Sequence, residues 1–477
     1  MDWLRSRATW WVPLAVMLGL ALRTYHYARS PAVWHDEAAL LLNVIGLSIS
    51  QMCGPLLHAE AAPPAFLMAE RGVALTLGDG IFALRLLPFL ASCLALILFA
   101  STCRRLLGPL SAALAVGLFA VSDRLLWHSC EAKPYALDVL VAVAAAWWFV
   151  RTEGWPLCRR CIPTTLAAPF AIWVSFPACF ILGGLIVGLL PAAMRSGWKD
   201  RAALAALAFV VGGSFVALAL GPVAAQRCSA MESCWTAHFP DWSRPWFAPA
   251  WATLQTLEVC RYCLMPIGQV FAVFAGFGVA AMWWRPGGRE LVAVLLVPLG
   301  LALAAAFLHK YPYGGMRVEA FATPAICLLS TMGMRHVLPR LARKSRAAAF
   351  VVTLAAIGPP AALTVYRVIE PWPRAETDVA TAFVIEHRQP GEPIFGNYWE
   401  HEYYLRDEPT FRPWQGAFEE DEMNAQRAWV VHTSDRAADD YPFPLPRGWE
   451  VAARTEFART SVFELRRRSV TGAPPAP

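Results

Sequence analysis

Charged residues are scarce in this chain. Only 16% of its 477 residues are Asp, Glu, Lys or Arg, against 57% hydrophobic residues and 21 tryptophans. One soluble core has no use for so much apolar material, so the composition excludes an ordinary soluble domain and predicts a polytopic membrane protein. The apolar runs are themselves nearly free of ionisable groups, Asp138 being the main exception. That scarcity argues against an ion-coupled transporter, which needs ionisable groups near the bilayer midplane. The net charge of +6 does not point to nucleic acid, because Lys and Arg fall mostly in short connections between apolar runs.

Two further absences narrow the reading. Arg5 and Arg7 precede the apolar run Thr9–Leu22 as in a secretory signal, but no small-x-small cleavage pattern precedes Asp36, and Tyr25 and Tyr27 read as interfacial anchors of an uncleaved span. The twelve cysteines lack metal-site spacing: Cys158-x-x-Cys161 and Cys260-x-x-Cys263 have neither a second pair nor nearby His. Cys228 and Cys234 are near neighbours in an outer loop, and a disulfide or two free thiols suit them equally.

What is there is a series of about eleven apolar stretches, each near the ~20 residues that cross a bilayer. They lie near residues 9–27, 84–102, 108–122, 134–150, 162–174, 176–194, 202–221, 267–284, 290–308, 318–336 and 347–367. Residues 163–194 read either as one bent helix or as two meeting near Ser175-Phe176-Pro177, and only two keep the charge alternation. With the N-terminus in the cytoplasm, the inner connections hold Arg104-Arg105, Arg151 with Arg159-Arg160, Arg195 with Lys199 and Arg201, Arg285 with Arg289, and the basic run 335–346. This bias predicts an odd number of spans and an extracytoplasmic C-terminus.

The linear reading divides the chain into a membrane domain, 1–369, whose first outer loop is 28–83, a small soluble α/β domain, 370–468, and a disordered tail, 469–477. In the soluble domain residues 378–388 read as a helix stopped by Gln389-Pro390-Gly391. Short apolar runs at 393–396, 428–432, 449–453 and 461–465 read as strands.

Four polar islands fall on one side of the membrane in this topology: His35-Asp36-Glu37; His58-Ala59-Glu60 with Pro63-Pro64; residues 127–135, with His128, Glu131 and Lys133; and residues 309–317, with Lys310, Tyr313 and Arg317. Each alone is ordinary, because interfacial loops are polar and aromatic. Acids in two islands with cations in two others make a stronger pattern, since a lone interfacial cation usually snorkels to lipid headgroups. Asp36 and Glu37 read either as reactive carboxylates or as acids opening an amphipathic helix over 38–50, where they suit the helix N-terminus. Arg85 reads as a structural anchor of the second span.

These residues resemble the GT-C glycosyltransferases of the family 39 type, which include protein mannosyltransferases and aminoarabinose transferases. The likeness rests on Asp36-Glu37, Pro63-Pro64, Gly78-Asp79, Ala83-Leu84-Arg85-Leu86, Glu131-Ala132-Lys133-Pro134-Tyr135, and Tyr313-Gly314 with Arg317 and Pro324, spread over most of residues 1–370. Lys133 stands where the family pattern usually has Arg, a point charge in place of a bidentate fork. Phe66 only loosely supplies the aromatic that commonly follows the prolines.

The resemblance implies an α-helical GT-C fold in a multi-pass protein of the bacterial inner membrane. It implies an inverting transfer of sugar from a polyprenyl phosphate to a hydroxyl of a lipid, glycan or protein acceptor on the extracytoplasmic face, with no nucleic-acid partner. Asp36 would be the base; Glu37 would orient the acceptor or Asp36, or bind a divalent cation, whose need is open within the family. Lys133, Lys310 and Arg317 would hold the donor phosphate, with His58, His128, Glu131 and Tyr313 around the substrates. A non-catalytic lipid-handling protein, such as a flippase or assembly partner, predicts the same spans. A glycan ligase using a lipid-diphosphate donor would not be expected to rely on a first-loop acid pair.

Overall fold

The computed structural model describes residues 10–414, 425–434, 444–445 and 447–468. The expected tail at 469–477 lies outside them, as do Arg5 and Arg7. A helix stands at each of the eleven apolar stretches, from Trp11–Arg29 to Arg346–Ile369. By length and apolar character five of these suffice to cross a membrane among the described residues, and a sixth if the bent pair Pro245–Cys263 and Gly268–Trp283 is one span. The molecule is an integral membrane protein, and its helix lengths leave eleven crossings as an expectation.

The doubtful stretch is two helices, Leu157–Val174 and Ala178–Arg195, broken at Ser175–Pro177, where the Ala178 N–H bonds back to Ser175 O. Ala248–Cys263 is a helix that the sequence reading left as loop, joined at 105° to Gly268–Trp283. With Gln255, Glu258 and Arg261 along it, it is too polar to register as a span.

Close helix approach is built on small residues. A Cβ added at Gly333 would lie 1.8 Å from Phe274 O, and one at Gly278 would lie 2.0 Å from Leu329 O, so the Gly268–Trp283 and Thr323–Lys344 helices touch backbone to backbone. In lipid, where burial between helices gains little from water, such packing and hydrogen bonds like Ser330 Oγ to Phe271 O hold helices together. All twelve cysteines are free thiols, Cys228 and Cys234 included.

Contacts divide the chain into two units, and the division does not follow the linear boundary at 369/370. One unit comprises residues 1–30 and 47–371; the other joins residues 31–46 to 372–477. The helix His35–Gly46, which carries the acid pair, therefore belongs with the C-terminal domain.

That second unit contains a five-stranded sheet: β1 Ile394–Gly396, β2 Phe411–Pro413, β3 Arg427–Thr433, β4 Trp449–Phe457 and β5 Thr460–Arg467, in the order β2-β1-β3-β5-β4. The first three are parallel, and β5 pairs antiparallel with both β3 and β4. Trp429 and Val431 of β3 pack with Ala380 and Val384 of the Thr377–His387 helix, while Ala428 and Val430 pack with Trp449, Phe463 and Leu465. Both faces of β3 are thus buried, as expected for a central strand.

Candidate functional site

In the C-terminal unit, Asp36 and Glu37 occupy the first turn of the His35–Gly46 helix, where the helix dipole favours carboxylates. Their environments differ. Asp36 is half-buried, whereas Glu37 is fully buried and accepts from Arg374 Nη1 at 3.0 Å. The same Nη1 donates to Ala32 O at 2.8 Å, and the Val33 N–H donates to the Tyr404 hydroxyl at 2.8 Å. His35 is exposed, with its ring near those of Tyr398 and Trp399. Glu37 thus gives one carboxylate oxygen to a buried guanidinium, and no group of three His, Cys, Asp or Glu that could hold a metal ion occurs among the described residues.

The other unit holds the predicted cations. The short helix Asp123–His128 and the turn before Tyr135–Arg151 place Trp127, His128 and Glu131 together. Glu131 Oε2 accepts from Trp127 Nε1 at 2.7 Å and from His128 Nδ1 at 3.0 Å, and His128 Nε2 lies 2.7 Å from the Tyr262 hydroxyl. Burial holds the His128 imidazole below its ordinary range; Glu131 opposes that shift, and the charges of Arg124 and Arg317 add to it. A neutral ring with Nδ1–H turned to a carboxylate must accept at Nε2, so the chain of bonds runs from Tyr262 O–H to His128 to Glu131.

Two guanidiniums act on this group. Arg317 lies over the Tyr135 ring and Arg124 over the Tyr262 ring, 5.7 and 5.5 Å from the centroids. Sequence reasoning found Arg317 and missed Arg124. Its only signal was a cation one turn before His128, just beyond the apolar run 108–122.

Lys133 is buried, 2% exposed, and donates to Glu60 Oε2, so its charge is already matched. Glu60 follows His58 and Ala59, both at positive φ (61° and 52°), a conformation costly for residues with a Cβ. Gln226 fixes the chain just beyond by bonding both the N–H and the carbonyl of Ala62. The structure thus joins Lys133 to the His58–Glu60 island and Arg317 to the His128–Glu131 island. Lys310 is exposed beyond the Gly288–Phe307 helix. Tyr313 is buried, its hydroxyl 3.1 Å from Thr256 Oγ1 and its N–H bonded to His238 O, so it supports the loop rather than presenting a hydroxyl. Arg85 is buried at the joint between Ile81–Leu84 and Leu86–Leu106.

Glu319 is a second residue that the sequence did not reveal. Fully buried, it accepts from the N–H groups of Gly314 at 2.9 Å and Met316 at 2.7 Å, and so fixes the turn that ends at Arg317. A Ser or Thr three residues before it would have read as a capping box, but Met316 stands there. Gly314 adopts φ 139°, and a Cβ on it would meet Gln255 Oε1 at 2.0 Å, so this close turn requires glycine.

No protein-family model matches the chain, and no curated protein sequence matches it. Solved structures do. The crystal structure of ArnT, an aminoarabinose transferase, from Cupriavidus metallidurans bound to undecaprenyl phosphate is similar over 98% of this chain and 100% of that one, with a TM-score of 0.57 and 14% identity. The apo form of the same protein gives 0.52 at 14% identity over 96% and 98%. The Archaeoglobus fulgidus oligosaccharyltransferase tethered to an acceptor peptide gives 0.51 at 12% identity, over 87% of this chain and 64% of that one. At such identities the likeness establishes the fold: the chain has the GT-C fold along with these transferases.

Proposed function

We propose that the protein is an inverting membrane glycosyltransferase that moves a sugar from a polyprenyl phosphate to a hydroxyl of a lipid, glycan or protein acceptor on the extracytoplasmic face. The observation that carries this reading is the full-length likeness of fold to ArnT, a protein crystallised with undecaprenyl phosphate. In this mechanism Asp36 takes the acceptor hydroxyl proton, the acceptor oxygen attacks the anomeric carbon, and the bond from that carbon to the phosphate oxygen breaks. The polyprenyl phosphate leaves with the electron pair. A phosphate is a good leaving group, so a base and cations suffice without a general acid.

Arg317 is the principal phosphate ligand in this proposal and Arg124 a weaker second, because guanidiniums offer paired N–H donors and both act on the same polar group, while Arg124 already lies 3.8 Å from Asp123. Lys133 has a secondary role, since a donor phosphate must compete with Glu60 for it. Lys310 is left to an outer contact, and His128, Glu131 and Tyr262 form the polar wall beside the guanidiniums.

Asp36→Asn is the test. Asn keeps the size of Asp and costs the helix only the dipole interaction of one carboxylate, ~0.3–1 kcal/mol. A general base is typically worth about 10²–10⁴-fold in rate. The purified variant, incubated with a panel of labelled polyprenyl-phosphate sugars, should bind the donor that the native protein consumes and fail to transfer it. Transfer at the native rate would reduce Asp36 to a helix-opening acid.

A further inference from the structure

The C-terminal unit does more than follow the membrane helices in sequence, because residues 31–46 are part of it. One guanidinium holds the chain on both sides of Asp36. Arg374 Nη1 donates to the carbonyl of Ala32, four residues before, and to the carboxylate of Glu37, the residue after. The Arg374 side chain is 6% exposed and that of Glu37 0%, so this pair is shielded from the water and salt that make surface ion pairs weak and mobile. Tyr404 adds a third point through the Val33 N–H, and Tyr398 and Trp399 flank the His35 ring.

From this geometry we infer that Arg374 is a positioning residue for the acid at Asp36: by clamping Ala32 and Glu37 together it sets the rotation of the first helical turn and the direction of the Asp36 carboxylate. The inference rests on the proposed role of Asp36. It also assigns Glu37, which serves as the clamp's anion and leaves Asp36 as the reacting carboxylate. Both bonds leave the one Nη1, whose two N–H groups lie in the guanidinium plane and fix the angle between Ala32 O and the Glu37 carboxylate; Lys would bring the charge and the donors on a freely rotating ammonium without that planar geometry.

The experiment compares Arg374→Gln, Arg374→Lys, Glu37→Gln, the double variant Glu37→Gln/Arg374→Gln and Asp36→Asn in the intact protein. It measures kcat and KM with the sugar donor that the native protein consumes, binding of undecaprenyl phosphate, and thermal midpoints. Displacing a catalytic group by about 1 Å costs about 10²-fold in rate. Arg374→Gln is therefore expected to lower kcat about 10²-fold while donor KM and undecaprenyl phosphate binding stay within about twofold, and Arg374→Lys should recover about tenfold. The double variant should be no slower than the slower single variant, because both substitutions remove one interaction.

A folded Arg374→Gln protein with kcat within about threefold of native would overturn the inference. So would losses that multiply in the double variant, or a KM that rises as far as kcat falls. If Arg374→Gln does not fold, Arg374→Lys decides: a native kcat there overturns the proposal, and a tenfold loss with unchanged KM supports it. Native transfer by Asp36→Asn, or a native protein that consumes no donor in the panel, defeats the underlying reading instead. An inactive Asp36→Asn beside a fully active Arg374→Gln defeats the positioning role alone.

Discussion

Replacing Arg317 by Gln should weaken donor binding far more than replacing Lys310, and the size of the difference follows from their surroundings. Arg317 is half-buried over Tyr135, on a turn fixed by Glu319, so its guanidinium is already oriented. A hydrogen bond to a charged group in such a setting is worth ~1.5–3 kcal/mol, which corresponds to about 10- to 150-fold in affinity. The Arg124 side chain is 30% exposed and lies 3.8 Å from Asp123, so screening limits its share to ~0–1 kcal/mol, or up to about fivefold. Lys310 is exposed and carries no comparable orientation, so its loss should cost less than about twofold. Undecaprenyl phosphate binding, measured by calorimetry in detergent at two salt concentrations, reads all three. The Arg124 contribution should shrink at high salt and that of Arg317 much less. The turn itself is held by Glu319 bonding to Gly314 and Met316, and the thermal midpoint of each variant checks that the fold is kept. Unchanged affinity in Arg317→Gln, or an equal loss in Lys310→Gln, would refute the assignment of the phosphate to this cluster.

Two predictions concern stability. Because burial lowers the His128 pKa, the unfolded chain takes up a proton that folded His128 refuses, and stability is lost as pH falls below the ordinary value of about 6.5. His128→Gln should remove up to ~1.4 kcal/mol per pH unit of that acid sensitivity, seen as a smaller drop in thermal midpoint between pH 7.5 and 5.5; an identical drop in both proteins would contradict it. Gly333→Ala should destabilise the bundle by at least the ~1–3 kcal/mol typical of overpacking, since its Cβ meets backbone at 1.8 Å. Gly276→Ala, where a Cβ meets nothing within 4 Å, should be neutral or stabilising by the same thermal measurement.

The fold was legible where periodicity is long. A lipid-facing helix must satisfy its backbone internally and is therefore a sustained apolar run, and helices indeed stand at all eleven such runs. The C-terminal sheet's longer strands also announced themselves, because β-branched and aromatic residues cluster in 428–432 and 461–465. What escaped was short or mixed. The three-residue strand Phe411–Pro413 and the six-residue helix Trp399–Tyr404 have too few residues to show a period. Ala248–Cys263 alternates polar and apolar residues without the composition of a span.

The candidate site was legible as residue types and much less as pairings. Asp36, Lys133 and Arg317 stand out in sequence because charge is rare in their surroundings. Rarity, however, says nothing about which charges neutralise one another. Lys133 reads as an available cation until Glu60, 73 residues earlier, is found against it. Glu37 reads as a metal ligand or a second reactive acid until Arg374 is found against it, 337 residues later. In both cases the partner is an ordinary charged residue in a loop, with no spacing to mark it, since ion pairing over such separations is set by how segments pack and not by local pattern. The consequence for the chemistry is specific. A buried carboxylate with a matched guanidinium gains little by exchanging that partner for an acceptor hydroxyl or a metal, because breaking the pair strands a charge at a cost of ~3–5 kcal/mol. Of two adjacent acids that look equivalent in sequence, Glu37 is the one paired with a buried guanidinium, and in the proposed mechanism it serves the scaffold while the chemistry falls to Asp36.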